Sequence, residues 1–207
     1  MRPYFQANLD VANRLCLVIG GAEEATDKTK KLLLAQASVT IVSPTLTDEL
    51  KIIVKESHVT YHARRFKPSD TDGVFLVMNT IKTDPDLSQE IYRLSQEKRF
   101  LLSSYDQPDY SDITMASLVS RGLLRIAIST SGASPALAKR IREDFESLFD
   151  DEFVEFLDWL SRLRDELAET IPDQKTRSEK LIEAVSQFRI VGKAEYPEYW
   201  KGVRESR

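Results

Sequence analysis

Residues 14–25 read RLCLVIGGAEEA, and the rest of the chain is organised around them. Leu15-Cys16-Leu17-Val18-Ile19 is a short apolar run of the kind that forms a strand buried on both faces. It breaks at Gly20-Gly21, and a helix is expected to start at Glu23. An apolar strand, a glycine turn and a helix N-terminus make the phosphate-cradling corner of a dinucleotide-binding fold. The glycines let backbone approach a pyrophosphate, and the first helical N–H groups point at the anion. Gly20, Gly21, Ala22, Glu23, Glu24 and Ala25 are therefore candidate cofactor-binding residues. Against the pattern G-x-G-x-x-G/A, Gly20 takes the first place and Ala25 the last, with Ala22 at the close-approach position. Glu23 and Glu24 suit the helix dipole but repel a second anion. Taken alone, the stretch also describes a plain tight turn.

Outward from this corner the strands and helices alternate. A helix is expected over 23–36, with Ala25, Leu32 and Leu33 available for a core face, and a β-branched strand over 39–42. Strand, helix and parallel strand form a right-handed βαβ unit. The second strand ends in Ser43-Pro44, where an acidic ribose ligand is usual; the serine hydroxyl can serve a ribose oxygen, and the choice between NAD and NADP stays open. A helix over 46–55, a strand over 59–61, a buried strand over 73–78, a helix over 85–97 and a strand over 100–102 complete a doubly wound α/β sheet. Asn79 and Thr80, at the carboxyl end of the fourth strand, would face a cofactor.

The pattern then changes. Residues 103–112, SSYDQPDYSD, form a turn-rich loop carrying Asp106, Asp109 and Asp112 along the same sheet edge. Two strand-like runs, 115–119 and 124–128, flank a turn at Ser120-Arg121-Gly122. After Ser129-Thr130-Ser131-Gly132, Ser134 can cap a helix that has Pro135 at its first position. An amphipathic helix is expected over 151–170, with Phe153, Phe156, Leu157, Leu160, Leu163 and Leu167 as packing residues, then a break at Pro172 and a helix over 178–188. The tail from Tyr196 to Arg207, with Trp200, is expected to close this helical unit.

Composition narrows the classes. The 207 residues carry a net charge of −4, which argues against general nucleic-acid or anionic-membrane binding. The single cysteine, Cys16, excludes an internal disulfide and suits a reducing compartment. The start, MRPYFQANLD, lacks a signal-peptide core, and no run is long enough to cross a bilayer, so a cytoplasmic location is expected. With one cysteine and two histidines, His58 and His62, no metal site is expected. Residues 113–142 hold five basic side chains and no acidic one, whereas residues 143–171 hold eleven acidic ones against Arg162 and Arg164. A basic, hydroxyl-rich segment in an acidic chain suits a small polyanionic ligand, or equally a solvated surface with a dimer contact.

The segments LCLVIGGAEEATDKTKKLL, VTIVSP, VFLVMNT, the aspartate loop and SRGLLRIAISTSGASPALAKRIRED together resemble the precorrin-2 dehydrogenase and sirohydrochlorin ferrochelatase family, the NAD-dependent part of siroheme synthases. The last block is the most specific. The resemblance runs from Pro3 to about Phe145. Ala22 stands where the family has the middle glycine of GGG, Met78-Asn79-Thr80 where it has Ala-Ala-Thr, Ser103 where asparagine is common, and Met115-Ala116 where it has Pro-Ala.

The resemblance implies NAD-dependent oxidation of precorrin-2 to sirohydrochlorin, with Asp106 as the catalytic base because Pro108 follows it as in the family's Asp-x-Pro. Asp109 and Asp112 remain alternatives. It implies a substrate-binding set of Arg121, Ser129, Thr130, Ser131, Gly132, Ser134, Lys139 and Arg140. It also implies a homodimer formed by the middle segment, with the active site between the cofactor domain and the dimerisation region. Three parts are expected: a NAD-binding Rossmann domain over 1–112, a dimerisation and substrate-binding segment over 113–147, and a C-terminal helical domain over 148–207. Two alternatives stand beside the dehydrogenase: a bifunctional dehydrogenase and ferrochelatase with ferrous or cobaltous ion as chelatase substrate, and a non-catalytic dinucleotide or tetrapyrrole binder.

Overall fold

A computed structural model describes residues 5–192, and the expected closing tail from Tyr196 with Trp200, like Pro3 and Tyr4 of the lead-in, lies outside them. The apolar run quoted above is strand β1 (Leu15–Ile19), and the helix after the glycines is α1 (Glu23–Leu34). There follow β2 (Ser38–Val42), α2 (Asp48–Glu56), β3 (Thr60–His62), β4 (Leu76–Asn79), α3 (Pro85–Lys98) and β5 (Leu101–Ser104). The strands form one parallel sheet in the order β3-β2-β1-β4-β5.

Strand alternation explains the double winding. Cys16 and Val18 point to one face of the sheet and pack with Ala25 and Leu32 of α1 and Leu50 of α2. Leu17 and Ile19 point to the other and pack with Ile91 and Leu94 of α3. Of the five β1 side chains all but Leu15 are buried, as an apolar strand without alternation requires. The order reverses on either side of β1, so its carboxyl end and that of β4 bound the crevice where such sheets bind ligands.

Several boundaries differ from the sequence reading. α1 stops at Leu34 rather than Gln36, because Gln36 takes a left-handed conformation (φ 61°). β4 begins at Leu76 rather than Gly73, since Gly73 turns at φ 71°, and it runs on through Asn79, which pairs with both Ile19 and Ser104. β5 includes Ser103 and Ser104, read as loop from their polarity. Both are buried and hold the ladder beside Met78 and Asn79.

The chain divides into two compact units, one ending at Ala116 and the next starting at Ser117. The second opens with an antiparallel hairpin, β6 (Ser117–Arg121) and β7 (Leu124–Ile128). β6 lies two residues later than expected, because the turn is Gly122-Leu123, with Gly122 at φ 53°. α4 (Pro135–Leu148), α5 (Asp151–Thr170) and α6 (Gln174–Val185) follow. α6 starts four residues before the expected position because Asp173 caps it, accepting from the Thr176 N–H and hydroxyl. An aromatic row of Phe145, Phe149, Phe153, Phe188, Phe156 and Trp159 lines the helices of this unit. Among the described residues no helix is long and apolar enough to cross a membrane.

Candidate active site

The glycine corner is shaped by its neighbours. Gly20 has φ 115°, and a Cβ there would stand 2.2 Å from Thr80 Oγ1. Thr80 is drawn in because both its N–H and its hydroxyl donate to the Ile19 carbonyl, at 2.9 and 2.8 Å. A Cβ on Gly21 would lie 1.9 Å from the Thr45 carbonyl, and Thr47 N–H donates to the Gly21 carbonyl at 2.9 Å. Both glycines are thus required by the closing of β2 and β4 onto the end of β1.

The helix start has a different character. Ala22 is the N-cap of α1 and makes no side-chain cap bond. Every other α-helix of the described residues has one, from Thr47, Asp84, Ser134, Asp150 or Asp173. The leading N–H groups of α1 therefore lack a capping acceptor at the β1–β4 crevice, where an anion would satisfy them. Glu23 and Glu24 occupy the first turn, and Glu24 is neutralised by Lys28 at 2.6 Å. Ala25 is buried beneath it. A pyrophosphate fits this arrangement, an open helix N-terminus with a glycine turn before it.

At the β2 end, Ser43 is buried and its hydroxyl donates to the Thr45 carbonyl at 2.7 Å, leaving the oxygen as an acceptor only. Pro44 follows as an exposed turn residue. Asn79 is buried, donates to Ser88 Oγ at 3.2 Å and accepts from Ile81 N–H at 3.1 Å. Its amide is therefore spent on shaping the segment between β4 and α3. Cys16 sits in the core, and burial pushes its thiol pKa up to about 11, so it is chemically inert.

The three aspartates have separate surroundings. Asp106 stands in a left-handed conformation (φ 60°), 68% exposed, with its carboxylate 3.3 Å from Lys82 Nζ. Asp109 is exposed on the short 3₁₀ turn Pro108–Tyr110. The carboxylate of Asp112 accepts from the Leu102 N–H at 3.1 Å, and so fastens the returning chain to β5. The carboxylate of Asp106 contacts a side chain of the neighbouring strand-end segment, that of Lys82. Lys82, which sequence reasoning missed, carries no motif; it could be found only once β4 and β5 were known to be neighbours.

In the second unit, residues Ser129 to Ser134 form one turn. Ser129 Oγ accepts from Ser131 N–H, and Thr130 Oγ1 donates to the Ser134 carbonyl while accepting from its N–H. Ser131 and Gly132 turn at φ 52° and 83°, and Ser134 caps α4 through Leu137 N–H. Lys139 and Arg140 project from α4 within reach of Glu143 and Asp144. Arg121 is engaged elsewhere: its Nε donates to the Phe149 carbonyl at 2.7 Å and its Nη2 to Asp151, tying β6 to the α4–α5 junction. Among the described residues no group of three or more His, Cys, Asp or Glu is gathered to hold a metal ion.

Sheet order, glycine turn and open helix end define a Rossmann-type dinucleotide-binding protein. A family model described as putative NAD(P)-binding matches residues 7–117, and one described as sirohaem biosynthesis protein central matches residues 121–148. The siroheme synthase of Thioalkalivibrio sulfidiphilus is 30% identical over 183 residues, covering 87% of this chain and 37% of that protein. That of Zymomonas mobilis is 29% identical over 174 residues, covering 84% and 37%. The solved structure of SirC, a precorrin-2 dehydrogenase, superposes with a TM-score of 0.79 at 26% identity, covering 89% of this chain and 90% of that one. The chain belongs to the NAD(P)-binding family of siroheme synthases and precorrin-2 dehydrogenases. It spans 37% of the length of each of these two siroheme synthases.

Proposed function

We propose that this chain oxidises precorrin-2 to sirohydrochlorin with NAD as hydride acceptor. The observation that carries the reading is the uncapped N-terminus of α1 at the β1–β4 crevice, in a fold that superposes on a precorrin-2 dehydrogenase. NAD, when bound, supplies the two-electron acceptor. The first N–H groups of α1 hold the pyrophosphate, and Gly20, Gly21 and Ala22 give it room. NAD is favoured over NADP because the turn after β2, Ser43 to Thr47, has no basic side chain for a 2′-phosphate. Arg64, just past β3, is held bidentate by Asp70 at 2.8 and 2.6 Å.

Oxidation of the macrocycle removes a hydride and a proton. Asp106, exposed at the same sheet edge, takes the proton as general base and passes it to water. The turn Ser129–Ser134 with Lys139 and Arg140 offers hydroxyls and cations to a polycarboxylate substrate. The siroheme synthase relatives motivate a second reading, in which Asp106 also accepts pyrrole protons as a ferrous or cobaltous ion enters the product. We assign a homodimer built on the segment 113–147, between a cofactor domain over 1–112 and a helical domain over 148–207. The β6–β7 hairpin supports this, since only Val119 of its ten residues is buried and a two-stranded sheet needs a further partner. We place the protein in the cytoplasm, where its one free cysteine stays reduced.

Anaerobic incubation with precorrin-2 and NAD tests the reading. Growth of NADH absorbance in step with sirohydrochlorin is expected. Absence of NADH, with intact NAD binding, would leave a dinucleotide binder without turnover. Added ferrous ion then reports the chelatase step.

A further inference from the structure

We infer that Lys82 is a substrate-positioning residue of this site, its ammonium receiving one carboxylate of the tetrapyrrole beside Asp106. The inference rests on the function proposed above. Three segments leave the carboxyl ends of β1, β4 and β5: residues 20–22, 80–84 and 105–116. Lys82 is the only Lys, Arg or His in them, against Asp84, Asp106, Asp109 and Asp112. Within these three segments a polyanion meets four carboxylates and a single cation, Lys82.

The geometry holds the ammonium at the rim. Lys82 Nζ lies 3.3 Å from Asp106 Oδ2 and 5.2 Å from the centroid of the Tyr105 ring. Its own carbonyl accepts from Gln107 Nε2 at 3.2 Å, so backbone and side chain are both tied to the segment after β5. That segment is in turn anchored by Tyr105 N–H donating to the Asn79 carbonyl at 2.8 Å. An ammonium has three donors. One serves Asp106, and with the side chain half exposed (50%) the others stay within reach of a ligand. The ammonium can thus rest beside Asp106 and still meet a substrate carboxylate.

The test uses the full chain with Lys82→Met and Lys82→Arg. An exposed ion pair adds little to stability, so both variants fold. Two readouts are taken: fluorescence titration with sirohydrochlorin in the absence of dinucleotide, and KM and kcat for precorrin-2. Lys82→Met is expected to weaken binding and raise KM by roughly five- to tenfold, with kcat within about twofold and a smaller dependence on salt. Lys82→Arg is expected to restore both to within about twofold. Unchanged binding and KM in Lys82→Met would overturn the inference. So would a fall in kcat at constant KM, which would mean that Lys82 acts through Asp106 alone, or a failure of arginine to restore binding. Should the unaltered protein bind sirohydrochlorin without oxidising precorrin-2, the titration still decides the role of Lys82 and only the dehydrogenase reading falls. An unaltered protein that binds no tetrapyrrole overturns both.

Discussion

Among single residues, Asp106 and Asp112 make the sharpest contrast. One carboxylate is exposed and faces an ammonium; the other is spent on the Leu102 N–H. Asp106→Asn keeps the size of the side chain and removes the carboxylate proposed as proton acceptor. It should leave NAD affinity intact and lower turnover by roughly a hundredfold or more. Asp112→Ala should instead lower stability by about 1 to 2 kcal/mol with kcat nearly unchanged, read by denaturant unfolding and steady-state rates. The reverse assignment of effects would move the base out of the Asp106 position. Gly20 and Gly21 were legible as a turn because glycine doublets after apolar runs rarely mean anything else. Their packing reason was not, because contact with Thr80 and Thr45 depends on which strands lie beside β1. Lys82 was illegible for the same cause: its partner stands 24 residues away across two elements.

Elements were legible where local chemistry decides them. β1, β7 and α5 have the expected bounds, and α4 starts where Ser134-Pro135 said it would, because apolar patterning and caps act within a few residues. β5 was cut short because Ser103 and Ser104 are polar, yet pairing with β4 holds them in the sheet. Two predictions belong at this scale. Ala22→Asp places a capping carboxylate where the pyrophosphate would sit. It should stabilise α1 by about 1 kcal/mol and weaken NAD binding by at least about tenfold, through competition for the same N–H groups and repulsion. Thermal melting and titration calorimetry read the two effects, which must move in opposite directions. The second concerns the turn after β3. The Arg64 guanidinium beside Asp70 holds its carboxyl below the ordinary value of 3.8. A carboxylate with a lowered folded-state pKa stabilises the fold above its unfolded pKa and loses that contribution as pH falls through the folded value. Between about pH 5 and about pH 3 the unaltered protein should therefore lose stability more steeply than Asp70→Asn. Parallel acid limbs in urea titrations would show that the pair contributes nothing.

For the molecule as a whole, the first unit has a finished core and the second does not. Every strand of the sheet but β3 carries fully buried apolar side chains, whereas in the hairpin and the three helices after it only Val119, Ala138 and Leu167 are buried in elements. Leu118, Leu123, Leu137 and Leu148 stay open to solvent. If a second copy covers the hairpin, Leu118→Glu should raise the dimer dissociation constant by at least about tenfold while leaving the dinucleotide site of the first unit intact. Sedimentation equilibrium checks this, and a monomeric unaltered protein at micromolar concentration with full activity would refute it. Within the aromatic row of the second unit, Phe153 and Phe156 were foreseen as packing from their helical spacing. How little of it is sealed was not, because spacing along a helix does not say what lies against its face.

The seam between β1 and β4 joins Ile19 to Asn79 across roughly 60 residues of chain, further than any other neighbouring pair in the sheet. Loop-closure entropy makes this join somewhat costlier to close than its neighbours, so it is expected to form after β1-α1-β2 and β4-α3-β5, which phi-value measurements would check. The crevice therefore does not exist in a half-assembled chain; it appears when the two halves meet. A dinucleotide bound there acts as a clasp, gripping only the completed sheet and adding to its stability in proportion to RT ln(1 + [L]/Kd). Cofactor supply is then expected to set how firmly the two halves of the sheet stay joined, with the amide protons along Ile19 and Asn79 as the place where hydrogen exchange would register the clasp closing.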